Sequence, residues 1–275
     1  YGFSAEGPRF DKEIMECFED ADFLRMMEIK PEVCESAAEC GHRSFVIMAG
    51  AFDKRKVDAH VLSYEGPFGV GYGVATFEGG EADPNRNYLD QYIAFENKAR
   101  EERMKHEDAY VRLARLSAET FVRTHQYTGL PKDLPEELLN QRAGAFVSIH
   151  EHGKLRGCIG TTEPTQQNLA LEIIANAVSA ATRDPRFPPV RPGELPSLVY
   201  KVDVLSPAEK IDSESQLDVK KYGVIVENGS RRGLLLPDLE GVDTVEQQIA
   251  IAKQKANIAP QESVQLYRFT VTRHQ

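Results

Sequence analysis

The sequence predicts an α+β fold built on a largely antiparallel sheet, and three stretches carry that prediction. "AFVSIHEHGKLRGCIG" (145–160) is two β-rich runs interrupted at Gly153, and "YGVIVENGSRRGLLLP" (222–237) is two more about Asn228-Gly229, a dipeptide suited to a tight hairpin turn. Between them "TQQNLALEIIANAVSAATRD" (165–184) is alanine-rich and apolar at helical spacing. Hairpins with a few interposed helices, instead of strict strand–helix alternation, argue for antiparallel pairing.

Residues 11–27, with Ile14, Cys17, Phe18, Phe23, Leu24 and Met27 at helical spacing, predict one or two short helices. An apolar run follows from Phe45 to Phe52. "HVLSYEGPFGVGYGVATFEGG" then reads as a hairpin broken at Gly66-Pro67 and ending in a strand through Val74 and Phe77, with "GGEADPNRN" (79–87) as loop. From Asp90 to His106 charge dominates, as on a solvated connecting helix. The chain therefore divides into residues 1–80, a charged linker or helix at 81–106, and a second domain at 107–275. That domain opens with the stripe Tyr110, Leu113, Ala114, Ala118, Phe121 and Val122. Later, "LVYKVDVLSP" alternates as a strand, and "VQLYRFTV" closes as a strand. "TVEQQIAIAKQKANI" begins with a Thr244–Gln247 capping box and puts Val245, Ile249, Ala252 and Ala256 on one helical face.

Bulk composition narrows the function classes. At roughly 150 residues per domain, 275 residues hold about two cores. No apolar run approaches the roughly 18 to 20 residues of a membrane helix. A net charge of −10 repels phosphate backbones, so nucleic acid is a poor default partner. Cysteines 17, 34, 40 and 158 form no CxxC pair, which points to reduced thiols and a cytoplasmic setting. The opening "YGFSAEGPRF" has neither an initiator methionine nor a charged-then-apolar leader and reads as an excerpt of something longer.

The cysteine in "LRGCIG" draws the most attention. A three-residue loop at His152–Lys154 places Ala145, Val147, Ile149, Leu155 and Ile159 on one apolar face. The other face then shows Phe146, Ser148 and His150 beside Arg156, Cys158 and Gly160, with Ser148 as the cross-strand neighbour of the sulfur. Arg156 sits roughly 7 Å along the strand, and a fixed cation favours thiolate. Gly157 and Gly160 permit close approach of a ligand. Cys158 is thus either a reactive thiol or one more small packing residue. His150 shares the face and is a candidate base toward Cys158, while His152 is read as solvated.

At "LRGCIGTTEP", "AATRDPRFPPV", "LVYKVDVLSP", "YGVIVENGSRRGLLLPDLEGVDT" and "LYRFTV", residues 107–275 resemble the AMMECR domain, protein A of the AmmeMemoRadiSam system, over essentially its full length. The resemblance implies an α+β fold of two subdomains with a groove faced by LRGCIG, and it brings no established reaction. Residues 1–80 resemble the C-terminal end of Memo-type proteins, relatives of class III extradiol dioxygenases and protein B of the same system, through "CGHRSFVIMAGAF" and "LSYEGPFGVGYGVATFE". This implies an incomplete α/β segment. It also implies that Cys40 is a ligand for iron or copper only alongside histidines absent from this chain, so the chain itself holds no cofactor. His42 is a weak second ligand, and Cys34 has no useful spacing. If the run after Cys40-Gly41 is helical, the Cys40 thiol lies near a helix N-terminus. A radical SAM protein is the implied third partner; with no CxxxCxxC run, this chain is not that enzyme.

The expected reading is a groove that binds a small anionic or nucleotide-like ligand. In an enzymatic version Cys158 is the nucleophile or carrier and Arg156 stabilises charge. Gly157, Gly160, Thr161 and Ser148 line the site, and Asp184 and Arg186 orient substrate. The rival is a noncatalytic adaptor docking a protein partner. A weaker third is RNA binding through Arg183, Arg186, Arg231 and Arg232. Arg231 and Arg232 otherwise guard a sheet edge, Gly233 serves close packing, and Lys253 and Lys255 are solvated.

Overall fold

The computed structural model describes residues 4–66, 68–239 and 241–275. Two compact units emerge, Tyr1–Lys105 with His152–Lys154, and His106–Glu151 with Leu155–Gln275.

The first unit holds α1 (Gly7–Glu19), α2 (Phe23–Met27), α3 (Pro31–Ala37), α4 (His42–Ala51), the antiparallel strands β1 (Arg55–Glu65) and β2 (Tyr72–Ala82), and α5 (Tyr88–His106). The predicted spacing in residues 11–27 becomes α1 and α2, whose Phe10, Ile14, Cys17, Phe18, Phe23 and Met26 are buried. The Phe18 ring meets Phe45 and Phe77 edge-on, which ties α1 to α4 and β2. β2 continues through Gly79–Ala82, expected as loop, because Gly79 and Ala82 pair with Val57 and Arg55. Pro67, the expected break in the hairpin, lies outside the described residues.

The second unit contains α6 (Ala109–Thr124), α7 (Glu136–Asn140), β3 (Ala145–Glu151), β4 (Lys154–Gly160), α8 (Leu169–Thr182), β5 (Leu198–Leu205), β6 (Glu209–Ile211), β7 (Gly223–Asn228), β8 (Arg231–Leu235), α9 (Val245–Lys255), β9 (Gln265–Phe269) and β10 (Val271–His274). Two four-stranded sheets result, ordered β10-β5-β3-β4 and β6-β9-β7-β8. Mixed helix and antiparallel sheet is the predicted α+β class.

Each sheet is covered on one face by helix. Leu113 and Ala118 of α6 and Ile173 and Ala177 of α8 share a core with Val147, Ile149, Tyr200 and Val202. Ile249 and Ala252 of α9 share another with Val224, Val226 and Leu235. The capping box at Thr244 starts α9 as its sequence requires. Gly233 is indispensable here, since a Cβ would sit 2.0 Å from the Ala252 carbonyl oxygen. The opposite faces of the two sheets meet through a small cluster of Phe146, Leu205, Ile225, Leu234, Tyr267 and Phe269.

Three local expectations change. "VQLYRFTV" is two strands in different sheets, broken at Thr270, where Thr270 N–H donates to Ser206 Oγ (2.9 Å) and Ser206 N–H donates to the Thr270 carbonyl (3.0 Å). The β7–β8 turn is Gly229-Ser230, one residue beyond Asn228-Gly229, because Asn228 pairs with Arg231 and only Gly229 takes a positive φ, 60°. The β3–β4 loop is His152-Gly153, two residues instead of three, with φ of 49° and 77°.

Candidate functional site

The site is built on the edge strand β4. Gly157 is buried against α8, and a Cβ there would lie 2.2 Å from the Ala180 carbonyl oxygen. With Gly157 and Ile159 turned toward α8, strand alternation turns Cys158 to the opposite face. A Cβ on Gly160 would meet the Phe146 ring at 2.2 Å and the Ala145 carbonyl at 2.6 Å. Both glycines, expected to admit a ligand, instead admit a helix backbone and an aromatic ring. Gly160 against Phe146 brings Cys158 level with Ser148, two residues back on each strand. The expected polar face holds despite the shorter loop, since Thr161 N–H donates to the Ala145 carbonyl (3.0 Å) in the same register as Gly160 against Phe146. Leu155, expected on the apolar face, is 38% exposed.

Gly157→Ala is a sharp check on this packing. Backbone meets backbone, so relief requires α8 to move, and the loss is expected near the top of the roughly 1–3 kcal/mol range for overpacking. Urea unfolding is expected to show a lower midpoint at unchanged slope.

Asp184 and Arg186 come from the loop after α8. Asp184 is buried, and its Oδ2 accepts the Cys158 N–H at 2.8 Å and Arg186 Nη2 at 2.7 Å. Its Oδ1 accepts Arg186 N–H (3.1 Å) and Nε (3.0 Å). Arg186 Nη2 also donates to the Cys158 carbonyl at 3.2 Å. The hydrogen-bonded Arg186 guanidinium holds the Asp184 carboxyl well below the usual carboxylate range, against the effect of burial.

The guanidinium beside Cys158 is therefore that of Arg186, correcting the expectation of Arg156. Arg156 is spent elsewhere: Nε and Nη2 donate to Glu194 (2.8 and 3.3 Å) and Nη1 to the Pro188 carbonyl (2.9 Å). The Cys158 thiol is half-buried, and desolvation raises its pKa; Arg186 and Lys255 pull the other way, while Asp203 and Asp184 add to the rise. A resting thiolate is thus not favoured, contrary to the activated nucleophile expected from Arg156. Lys255 is exposed, as expected, yet its ammonium is pushed below the usual lysine range by desolvation and then by Arg186, with Cys158 opposing.

Thr161 is also spoken for. Its hydroxyl donates to Glu172 Oε1 (2.6 Å) and accepts Asn176 Nδ2 (3.3 Å), so it is part of the scaffold and not a free ligand contact. Glu172, 1% exposed, further accepts Thr165 N–H (2.7 Å), Thr165 Oγ1 (2.8 Å) and Gln166 N–H (2.8 Å). Sequence reasoning missed Glu172, Asn176 and Lys201. The first two had a signal, since they lie four apart within an apolar, alanine-rich helix, where a buried polar pair is informative.

The remaining candidates separate. His150 stays half-buried on the outer face; desolvation and then Lys201 lower its pKa, which keeps it neutral, and no hydrogen bond joins it to Cys158. Arg231 pairs with Glu262, Arg232 with Glu163, and Arg183 reaches Tyr127 Oη at 3.4 Å. With Arg186 on Asp184, three of the four arginines face carboxylates, and no free basic patch forms from them. Lys253 is not simply solvated, because Nζ donates to the Pro260 (2.9 Å) and Glu262 (2.8 Å) carbonyls.

Cys40 is exposed just before α4, the predicted helix. The residues present do not fit an iron or copper centre: no group of three or more His, Cys, Asp or Glu is arranged for a metal among the described residues, and His42 Nε2 is 2.8 Å from the Met26 carbonyl. No helix among the described residues is long and apolar enough to cross a membrane.

A family model described as AMMECR1 matches residues 111–274. Protein CA_C1420 of Clostridium acetobutylicum is 41% identical over all 275 residues, and the chain spans 58% of that relative's length. A Thermotoga maritima protein is 56% identical over 170 residues, 61% of this chain and 98% of its own. The crystal structure of PH0010, an uncharacterised protein from Pyrococcus horikoshii, is 36% identical, covers 60% of this chain and 88% of its own, and superposes with a TM-score of 0.56. The LRGCIG strand, the Asp184–Arg186 loop and the two sheets all fall within residues 111–274, and the chain belongs to the AMMECR1 family.

Proposed function

We propose that the outer face of the first sheet at Cys158 binds a small anionic ligand between Arg186 and Lys255. One observation carries this: the Arg186 guanidinium, held by Asp184 through a hydrogen-bonded fork, donates to the Cys158 carbonyl beside a half-buried thiol, and exposed Lys255 is the second cation that pulls the thiol's pKa down. The Arg232–Glu163 pair supports the placement, since it ties the strand beneath α9, which ends at Lys255, to the loop after β4. The neutral resting thiol makes Cys158 a contact or a carrier loaded by an incoming electrophile, in preference to a constitutive thiolate nucleophile.

Alkylation tests this without a known ligand. Iodoacetate carries the charge that the site attracts, and iodoacetamide does not. The iodoacetate-to-iodoacetamide rate ratio, followed by peptide mass spectrometry at pH 7, is expected to be several-fold higher at Cys158 than at exposed Cys40. Lys255→Ala should erase the excess. Equal ratios at the two thiols would sink the anion reading and favour an adaptor in which Cys158 only packs.

A further inference from the structure

The sheet register extends the same face beyond the thiol. Strand order β5-β3-β4 and the pairing of Ser148 with Lys201 set Lys201, Ser148 and Cys158 in one row across three strands, spanning about 10 Å at roughly 4.8 Å per strand. Tyr200 and Val202 point into the core, so Lys201 and Asp203 share the outer face. In the neighbouring row Phe146 pairs with Asp203, whose carboxylate is taken by Arg273 at 2.9 Å. Asp184 is taken by Arg186, and Glu194 by Arg156.

Lys201 stands at one end of the row, and Lys255, an exposed residue whose ammonium acts on the Cys158 thiol, is the cation on the thiol's side; neither has a carboxylate at ion-pair distance among the described residues. Lys201 is half-buried on that face, so an anion reaching it meets an ammonium with no competing carboxylate among the described residues. Ser148 Oγ lies between Lys201 and the thiol with no hydrogen-bond partner among the described residues, available to a ligand crossing from one to the other.

We infer that the ligand is a small dianion with its charges on separate groups, one at Arg186 and Lys255 and the other at Lys201. The inference rests on the anion reading above and specifies its substrate class. A short dicarboxylate, or a small molecule bearing one carboxylate and one phosphate, meets the requirement.

Protection of Cys158 from iodoacetamide in the full chain provides the readout, with glutarate, valerate and inorganic phosphate as probes. Glutarate is expected to protect at concentrations about tenfold below valerate, the increment of one added ion pair in a partly desolvated site. Lys201→Gln should bring the two acids together, and Lys201→Arg should restore the difference, which separates lost charge from lost fold. Equal protection by glutarate and valerate in the unaltered protein overturns the dianion while leaving the anion reading in place. Phosphate matching glutarate overturns it too, since both charges then sit on one group. If no probe protects and iodoacetate shows no preference, the anion reading falls with it.

Discussion

Glu172→Ala is expected to lower stability by about 3–5 kcal/mol, the largest effect of any single change considered for this protein. The carboxylate is buried in the first turn of α8 and accepts hydrogen bonds from two backbone N–H groups and two threonine hydroxyls of residues 161–166. Bonds to a charged acceptor are worth about 1.5–3 kcal/mol each but do not add, and alanine removes every acceptor at once while leaving the donors in place. Glu172→Gln is expected to recover only part of the loss, because its amide N–H₂ group turns a donor toward donors. Chemical denaturation at neutral pH measures both variants. A loss under about 1 kcal/mol for the alanine variant would show that the segment after LRGCIG is held by something else.

Asp184→Ala is expected to cost about 2–4 kcal/mol, since it strips the acceptor from the Cys158 N–H and frees Arg186, which is exposed enough to be rehydrated. The effect has a defined pH dependence. The folded-state pKa of Asp184 lies below its unfolded value, so its contribution is complete above about pH 4 and is lost as pH falls through the folded value. The stability difference between the native protein and Asp184→Asn should therefore hold steady from pH 7 to pH 5 and shrink on further acidification. A difference that grew toward acid would reverse the sign of the assignment. On the proposed anion reading, Arg186 freed from Asp184 is no longer held beside Cys158, so the iodoacetate preference at Cys158 should weaken in the same variant.

Much of the architecture is legible in local pattern. The alanine-rich run, the capping box at Thr244 and the two hairpins depend on period and turn chemistry, which act over a few residues. The outward turn of Cys158 is legible too, through the alternation of Ala145, Val147 and Ile149. The partners of the side chains on that outer face are not. Arg156 is near the thiol in sequence, yet a carboxylate at Glu194 claims it, while Arg186 arrives from 28 residues away and Lys255 from almost a hundred. The glycines of LRGCIG look permissive for a ligand when only neighbours along the strand are known; α8 and Phe146 fill their space.

Residue order alone thus settled the α+β class, the helix and strand periods, and the outward turn of Cys158, because these follow from short-range sterics and apolar spacing. Tertiary packing decided the cation at that thiol, its raised pKa, the burial of Glu172 and the splitting of the last strand between two sheets. Charge pairing and desolvation depend on distances between segments remote in sequence, and those exist only once the sheets and helices have closed on one another.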